Sequence, residues 1–209
     1  MLPVLYPIVD ADLCRLRGVD PRHLVRAFVA GGARVLQVRQ KNANTGPLLA
    51  LVRGVIEDAW AGGASLIVND RADVAAMAGA DGVHVGQQDL PPDDVRRIAG
   101  DRPIIGISTH TEAQVDEAVA GPADYVAVGP VFQTLTKNTG YDARGLDLVA
   151  YAAGRGKPVV AIGGITLQNA PDVLAAGAAS VAVISDLLSG EPPETRVRRY
   201  LERLQRPAP

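Results

Sequence analysis

A chain of 209 residues, 47% of them hydrophobic, is long enough to bury a substantial core as one large domain or two small ones. A net charge of −2 and an aromatic content of 4% argue against a nucleic-acid partner, which needs a basic surface or a base-stacking platform. No apolar run approaches the ~20 residues of a membrane span, the single Cys14 can close no internal disulfide, and the opening MLPVLYPIVD lacks the basic flank of a signal peptide, so a soluble cytoplasmic protein is expected.

The first strand candidate is VLYPIVD, near residue 4. It runs into VDADLC, without the Gly-rich turn of a dinucleotide-binding open sheet. DPRHLVRAFVAGG follows as a helix, with Asp20 as N-cap, Pro21 in the first helical position and Gly31 or Gly32 as the stop. One pattern then recurs: a small Gly/Ala turn and a short β-branched run. It is seen in GGARVLQVR, GGASLIVND, GADGVHVGQ, GPADYVAVGP and GAASVAVIS, with RPIIGIST and KPVVAIGGI as further runs. Strands are thus predicted to start near residues 4, 35, 65, 82, 103, 125, 158 and 180. Nearly continuous apolar runs suit parallel strands buried on both faces.

Between the fifth and sixth strands, TEAQVDEAVAG reads as a helix with Thr111 as cap and Gly121 as stop. GPVFQTLTKNTGYDARG, residues 129–145, has no period and reads as a long functional loop, mobile over about 130–145. The closing TRVRRYLERLQR places Val197, Tyr200, Leu201 and Leu204 on one stripe, with its five arginines on a solvated face. Eight strands alternating with helices, without a linker, predict a single α/β domain over residues 1–209, a (β/α)8 barrel.

A barrel of this kind carries its chemistry at the C-terminal ends of its strands. On the second strand, Gln37, Arg39 and Lys41 share one face because side chains alternate. Leu36 and Val38 take the other face, under the helices. Cations directed toward the barrel axis need a counter-charge, and an anionic ligand or an internal Asp or Glu would supply it. Only three of the 21 basic residues are lysines, Lys41, Lys137 and Lys157, and two of these fall in strand-end loops. Asn69 and Asp70 follow the third strand and Asp89 the fourth. Taken singly, Asp70 would cap the helix in RADVAAMAG and Asp89 would open the turn before Pro91 and Pro92. Taken together beside Arg39 and Lys41, they point to a Mg²⁺ ion joining two carboxylates to a phosphorylated ligand. Gly163, Gly164 and Ser185, after strands seven and eight, make a second anion site of the type that holds a monophosphate. Thr134, Thr136 and Lys137 in the long loop can donate to phosphate oxygens. Two anion sites and one metal imply transfer of a group from a diphosphate to a phosphorylated acceptor.

QVRQK, VNDRADVAAMAGADGVHVGQQDLP, GISTHT, VGPVFQTLTK, VAIGGI and VAVIS, in this order and spacing, resemble the thiamine phosphate synthase family over nearly the whole chain. The resemblance implies a barrel that joins 4-amino-5-hydroxymethyl-2-methylpyrimidine diphosphate to a thiazole phosphate and releases pyrophosphate. It implies that Gln37, Arg39, Lys41 and Asn69 hold the pyrimidine diphosphate, and it carries Val38 and Gln40 of QVRQK over as substrate contacts. Asp70 and Asp89 would bind Mg²⁺. Ser108 and Lys137 would meet the pyrimidine or its diphosphate, and with Arg39 and Lys41 form the catalytic set. Thr134, Leu135 and Thr136, with Gly164, Ile184 and Ser185, would hold the thiazole phosphate. Gln133 stands where proline is common in the family. His84 is expected to be packed or hydrogen-bonded inside the barrel, and His110 to begin a helix. The competing readings are a thiazole tautomerase of the same barrel family, a Schiff-base lyase using Lys137, and a non-catalytic phosphate-binding barrel. The expected partners are small molecules, with no nucleic acid and no membrane; association into a homo-oligomer is left open.

Overall fold

The computed structural model describes residues 2–41, 43–134 and 140–205. Eight strands, β1 (Leu5–Asp10), β2 (Val35–Arg39), β3 (Ser65–Asn69), β4 (Gly82–Val85), β5 (Ile104–Thr109), β6 (Tyr125–Val128), β7 (Val159–Ile162) and β8 (Ser180–Val183), form a closed barrel in sequence order. Every neighbouring pair is parallel, and β1 closes on β8 with Leu5 opposite Val181. All eight strand starts lie within one residue of those expected from the Gly/Ala-turn repeat and the three further apolar runs.

The helices are α1 (Ala11–Arg17), α2 (Pro21–Ala30), α3 (Thr45–Ala61), α4 (Ala72–Ala78), α5 (Pro92–Ala99), α6 (Glu112–Ala120), α7 (Gly145–Ala153), α8 (Ala170–Ala175) and α9 (Pro193–Gln205), with a short 3-10 helix at Ser185–Leu188. The local signals act where the residue types place them. The Asp20 carboxylate accepts from Arg22 N–H at 3.0 Å, Pro21 opens α2, and Gly31 ends it. Thr111 accepts from Gln114 N–H at the start of α6. Gly31 also lets α9 approach, since a Cβ there would lie 2.5 Å from the Glu194 carbonyl oxygen. Val197, Tyr200 and Leu204 of α9 are buried and Leu201 half-buried, as the stripe requires.

Alternation along the strands divides the core in two. Val9, Leu36, Val38, Leu66, Val68, Val83 and Val85 belong to the layer between barrel and helices. Tyr6, Ile8, Val35, Ile67, Tyr125, Ala127, Val160 and Ala182 fill the barrel interior. Each fully buried aliphatic side chain contributes about 1.5–3 kcal/mol. Among the described residues, no helix is long and apolar enough to cross a membrane.

Candidate active site

A cavity of about 450 Å³ opens at the C-terminal ends of the strands. Its floor is a hydrogen-bonded chain of buried polar side chains. Gln37 Nε2 donates to Tyr6 Oη at 3.2 Å, and Tyr6 Oη lies 3.0 Å from Tyr125 Oη. Tyr125 Oη lies 2.9 Å from His84 Nδ1, and His84 Nε2 lies 2.9 Å from Ser108 Oγ. Five strands thus meet through side chains alone. The His84 and Tyr125 rings stack at 5.6 Å between centroids. Gly106 makes room for this: a Cβ there would overlap the Tyr125 ring. Burial pushes the Tyr6 phenol up to about 12, with its bonds to Tyr125 and Gln37 opposing the rise. Burial, and next the nearby Tyr6, hold Tyr125 well above the ordinary tyrosine value. Both phenols are therefore neutral donors and acceptors at physiological pH.

At one rim stand the cations of β2 and the carboxylates that face them. Arg39 pairs through Nη1 with Asp10, its neighbour in register at the end of β1. Lys41 Nζ donates to Asp70 Oδ2 at 2.7 Å and lies 3.9 Å from Asp89 Oδ1. Asp70 does not cap α4: the cap position is Arg71, which makes no side-chain cap bond. Instead Asp70 has φ +63°, a left-handed backbone that no other non-glycine residue adopts among the described residues. Such a conformation costs about 1–2 kcal/mol. The Asp70 N–H donates to His84 O at 2.7 Å, tying this turn to β4. Asp89 accepts from Gly86 N–H at 2.8 Å, which closes the turn after β4. Burial raises the Asp89 pKa, the adjacent Asp70 carboxylate raises it further, and the Gly86 N–H and then Lys41 oppose the rise.

These donors suit a small hard cation. Two carboxylates repel each other and are bridged by an ammonium, so the site already has the charge pattern of a cation position. Among the described residues there is no cluster of three or more His, Cys, Asp or Glu side chains able to hold a metal. An ion here would draw its remaining ligands from water and phosphate oxygens, the habit of Mg²⁺.

Across the cavity, Gly163 (φ +104°) and Gly164 (φ +63°) form a turn that only glycine fits, because a Cβ on Gly163 would lie 2.6 Å from Pro130 Cα. Asn169 Nδ2 donates to Gly164 O at 3.1 Å, holding the turn. Ile184 and Ser185 reach the same wall from the end of β8. Asp186 anchors them by accepting from Arg196 at 2.7 Å, Tyr200 at 2.5 Å and Leu167 N–H at 3.2 Å.

The structure thus gathers Gln37, Arg39, Lys41, Asn69, Asp70, Asp89, Ser108, Thr134, Gly164, Ile184 and Ser185 on one cavity. Val38 and Gln40 do not join them. The β2 alternation turns Val38 into the outer core, and Gln40 faces a shallow groove beside Asp12 and Pro47. Leu135, Thr136 and Lys137 lie outside the described residues. Four contributors escaped the sequence reading of the site: Asp10, Tyr6, Tyr125 and His110. Tyr6 and Asp10 share the inward face of β1 with Ile8, so the alternation applied to β2 would have found them. His110 precedes the Thr111 cap of α6. Its ring also bonds Gly129 O at 2.5 Å and stacks on Tyr141 at 4.2 Å.

The profile of the thiamine monophosphate synthase family matches residues 5–187. The thiamine-phosphate synthase of Koribacter versatilis (strain Ellin345) is 42% identical over 96% of this chain and 95% of its own. That of Mycobacterium sp. (strain JLS) is 44% identical over 96% of this chain and 92% of its own. Among solved structures, thiamine phosphate pyrophosphorylase from Pyrococcus furiosus superposes with a TM-score of 0.87 at 32% identity, covering 97% of this chain and 95% of that one.

Proposed function

The chain belongs to the thiamine monophosphate synthase family, and from that premise we propose that it couples 4-amino-5-hydroxymethyl-2-methylpyrimidine diphosphate to a thiazole phosphate, giving thiamine phosphate and pyrophosphate. The observation that carries this assignment of the site is one rim at which Arg39, paired with Asp10, stands beside Lys41 and its facing carboxylates Asp70 and Asp89, opposite the Gly164–Ser185 wall. One rim suits a diphosphate with a divalent cation, the other a monophosphate.

The chemistry divides among the residues accordingly. Breaking the C–O bond sends its electron pair to the diphosphate and leaves positive charge on the exocyclic methylene, which the aminopyrimidine delocalises. Mg²⁺ held by Asp70 and Asp89 would neutralise charge on the departing diphosphate. Arg39 and Lys41 grip its oxygens, as Lys137 would from the long loop. Gln37 and Ser108, fixed by the buried chain below them, meet the planar ring. Gly164, Ile184 and Ser185 hold the thiazole phosphate so that the ring nitrogen lies in line with the methylene carbon. That nitrogen supplies the electron pair of the new C–N bond. No protein base is required, and positioning with electrostatics supplies the rate.

A thiazole tautomerase would need no carboxylate pair of this kind, which favours the synthase. The test is purified protein with both substrates and Mg²⁺, followed by pyrophosphate release. Release that is abolished by chelator and restored by added Mg²⁺ is the expected result; release indifferent to chelator removes the metal from the reading.

A further inference from the structure

We propose that Asp10 is a positioning residue that presets Arg39 for the diphosphate. This rests on the reading above that Arg39 grips that group. Asp10 and Arg39 are opposite each other in the β1–β2 register, at the strand ends where the cavity opens. Asp10 is 6% exposed. Each of its carboxylate oxygens has one task. Oδ1 accepts from Leu13 N–H at 2.9 Å and caps α1, while Oδ2 accepts from Arg39 Nη1. A carboxylate held from the helix side cannot follow the guanidinium, so the guanidinium must follow the carboxylate.

The consequence lies in what Arg39 keeps. Its Nε and Nη2 have no hydrogen-bond partner among the described residues, and its side chain lines the cavity. The planar fork is therefore held at one corner and open at the others, the geometry that suits bidentate contact with phosphate oxygens. The rotamer freedom of the long side chain is lost during folding rather than during binding, which favours the bound complex. Lys41 differs. It is half exposed, and its ammonium stands between two carboxylates, Asp70 at 2.7 Å and Asp89 at 3.9 Å, whereas Arg39 is mostly buried on one. Arg39 is the fixed member of the diphosphate grip because of Asp10.

The test separates anchoring from capping. Asp10→Asn keeps an oxygen to cap Leu13 N–H but turns an amide donor toward the Arg39 donors. The expected result is a KM for the pyrimidine diphosphate raised about 10–100-fold, the range for losing the partner that orients a ligating group. Inhibition by pyrophosphate weakens in parallel, while the KM for the thiazole phosphate stays within about twofold. Because Asp10 acts through Arg39, adding Asp10→Asn to Arg39→Met costs no more than about a further twofold. Asp10→Glu keeps a negative charge beside Arg39 but moves the carboxylate by one methylene, and it shows the same selective defect. The proposal is overturned if both KM values rise together, if the loss recurs undiminished in the Arg39→Met background, or if Asp10→Glu behaves as wild type. If Arg39→Met itself leaves the pyrimidine diphosphate KM unchanged, the grip by Arg39 is what fails, and the role of Asp10 goes with it.

Discussion

Replacing Gly106 by alanine tests whether the polar floor is a packed, indivisible unit. The new methyl group would overlap Cζ, Cε2 and Oη of Tyr125. That ring is 1% exposed and stacks on His84, so it cannot move without moving its neighbours. Overpacking of this kind costs about 1–3 kcal/mol. Displacing the phenol also breaks its bonds to Tyr6 and His84, at about 1 kcal/mol each. The sum is ~3–5 kcal/mol, and at about 2–4 °C per kcal/mol for a chain of this size the Tm falls by about 6–20 °C. His84 and Ser108 shift with the ring, so the KM for the pyrimidine diphosphate rises while that for the thiazole phosphate holds. Thermal unfolding followed by circular dichroism, with initial rates for each substrate, reads both effects. Adding Tyr125→Leu removes the overlapped atoms and restores part of the lost stability. A Gly106→Ala protein that melts within about 2 °C of wild type would refute the reasoning, and failure of Tyr125→Leu to restore anything would place the clash elsewhere.

Further outcomes follow from the same geometry. The folded-state pKa of Tyr6 is raised to about 12, so the folded protein holds a proton that the unfolded chain releases from pH ~10 upward. The stability from this group is present below pH ~10 and is lost between about 10 and 12, by roughly 3 kcal/mol. Urea unfolding across that range should show a shallower loss in Tyr6→Phe, and an identical slope would exclude Tyr6 as the source. Asp70→Asn keeps a residue that tolerates left-handed backbone but removes one of the facing carboxylates. It should fold as wild type while Mn²⁺ affinity and pyrophosphate release both drop, the latter about 100-fold or more; unchanged Mn²⁺ binding would dismiss Asp70 as a ligand. Lys137→Ala should raise the barrier by ~2–4 kcal/mol, the loss expected for one transition-state donor, and near-normal kcat in that variant would remove Lys137 from the catalytic set.

The fold was legible because its message is repeated: a Gly/Ala turn and a β-branched run recur at five of the eight strands, and short apolar runs mark the other three, so local and global signals agree. The rim was legible where polar residues interrupt an apolar strand, as Gln37, Arg39 and Lys41 do. Alternation separated those three from Leu36 and Val38, yet the family pattern QVRQK includes Val38 and Gln40, which the same alternation sends outward. Asp10 was hidden because an Asp before a helix reads as a cap, and it is one; its second bond, to Arg39, spans 29 positions of sequence. Tyr6 and Tyr125 were hidden because an aromatic in an apolar strand reads as packing, and only the barrel's closure brings their hydroxyls together. The left-handed turn at Asp70 leaves no local mark, since most residues of that conformation are glycine.

The floor also has a direction. Gln37 donates to Tyr6, so the Tyr6 hydrogen is left for Tyr125 and the Tyr125 hydrogen for His84 Nδ1. With Nδ1 accepting, a neutral imidazole carries its hydrogen on Nε2 and gives it to Ser108 Oγ. This arrangement puts one hydrogen in each of the four contacts, the basis on which hydrogens are assigned from a network. The Ser108 hydroxyl then has its own hydrogen left over for an incoming molecule, and one amide on β2 sets the polarity of a contact made from β5. Nitrogen chemical shifts of His84 report which ring atom is protonated: the Nε2–H tautomer marks Ser108 as a donor to the ligand, and the opposite tautomer would reverse the whole sequence.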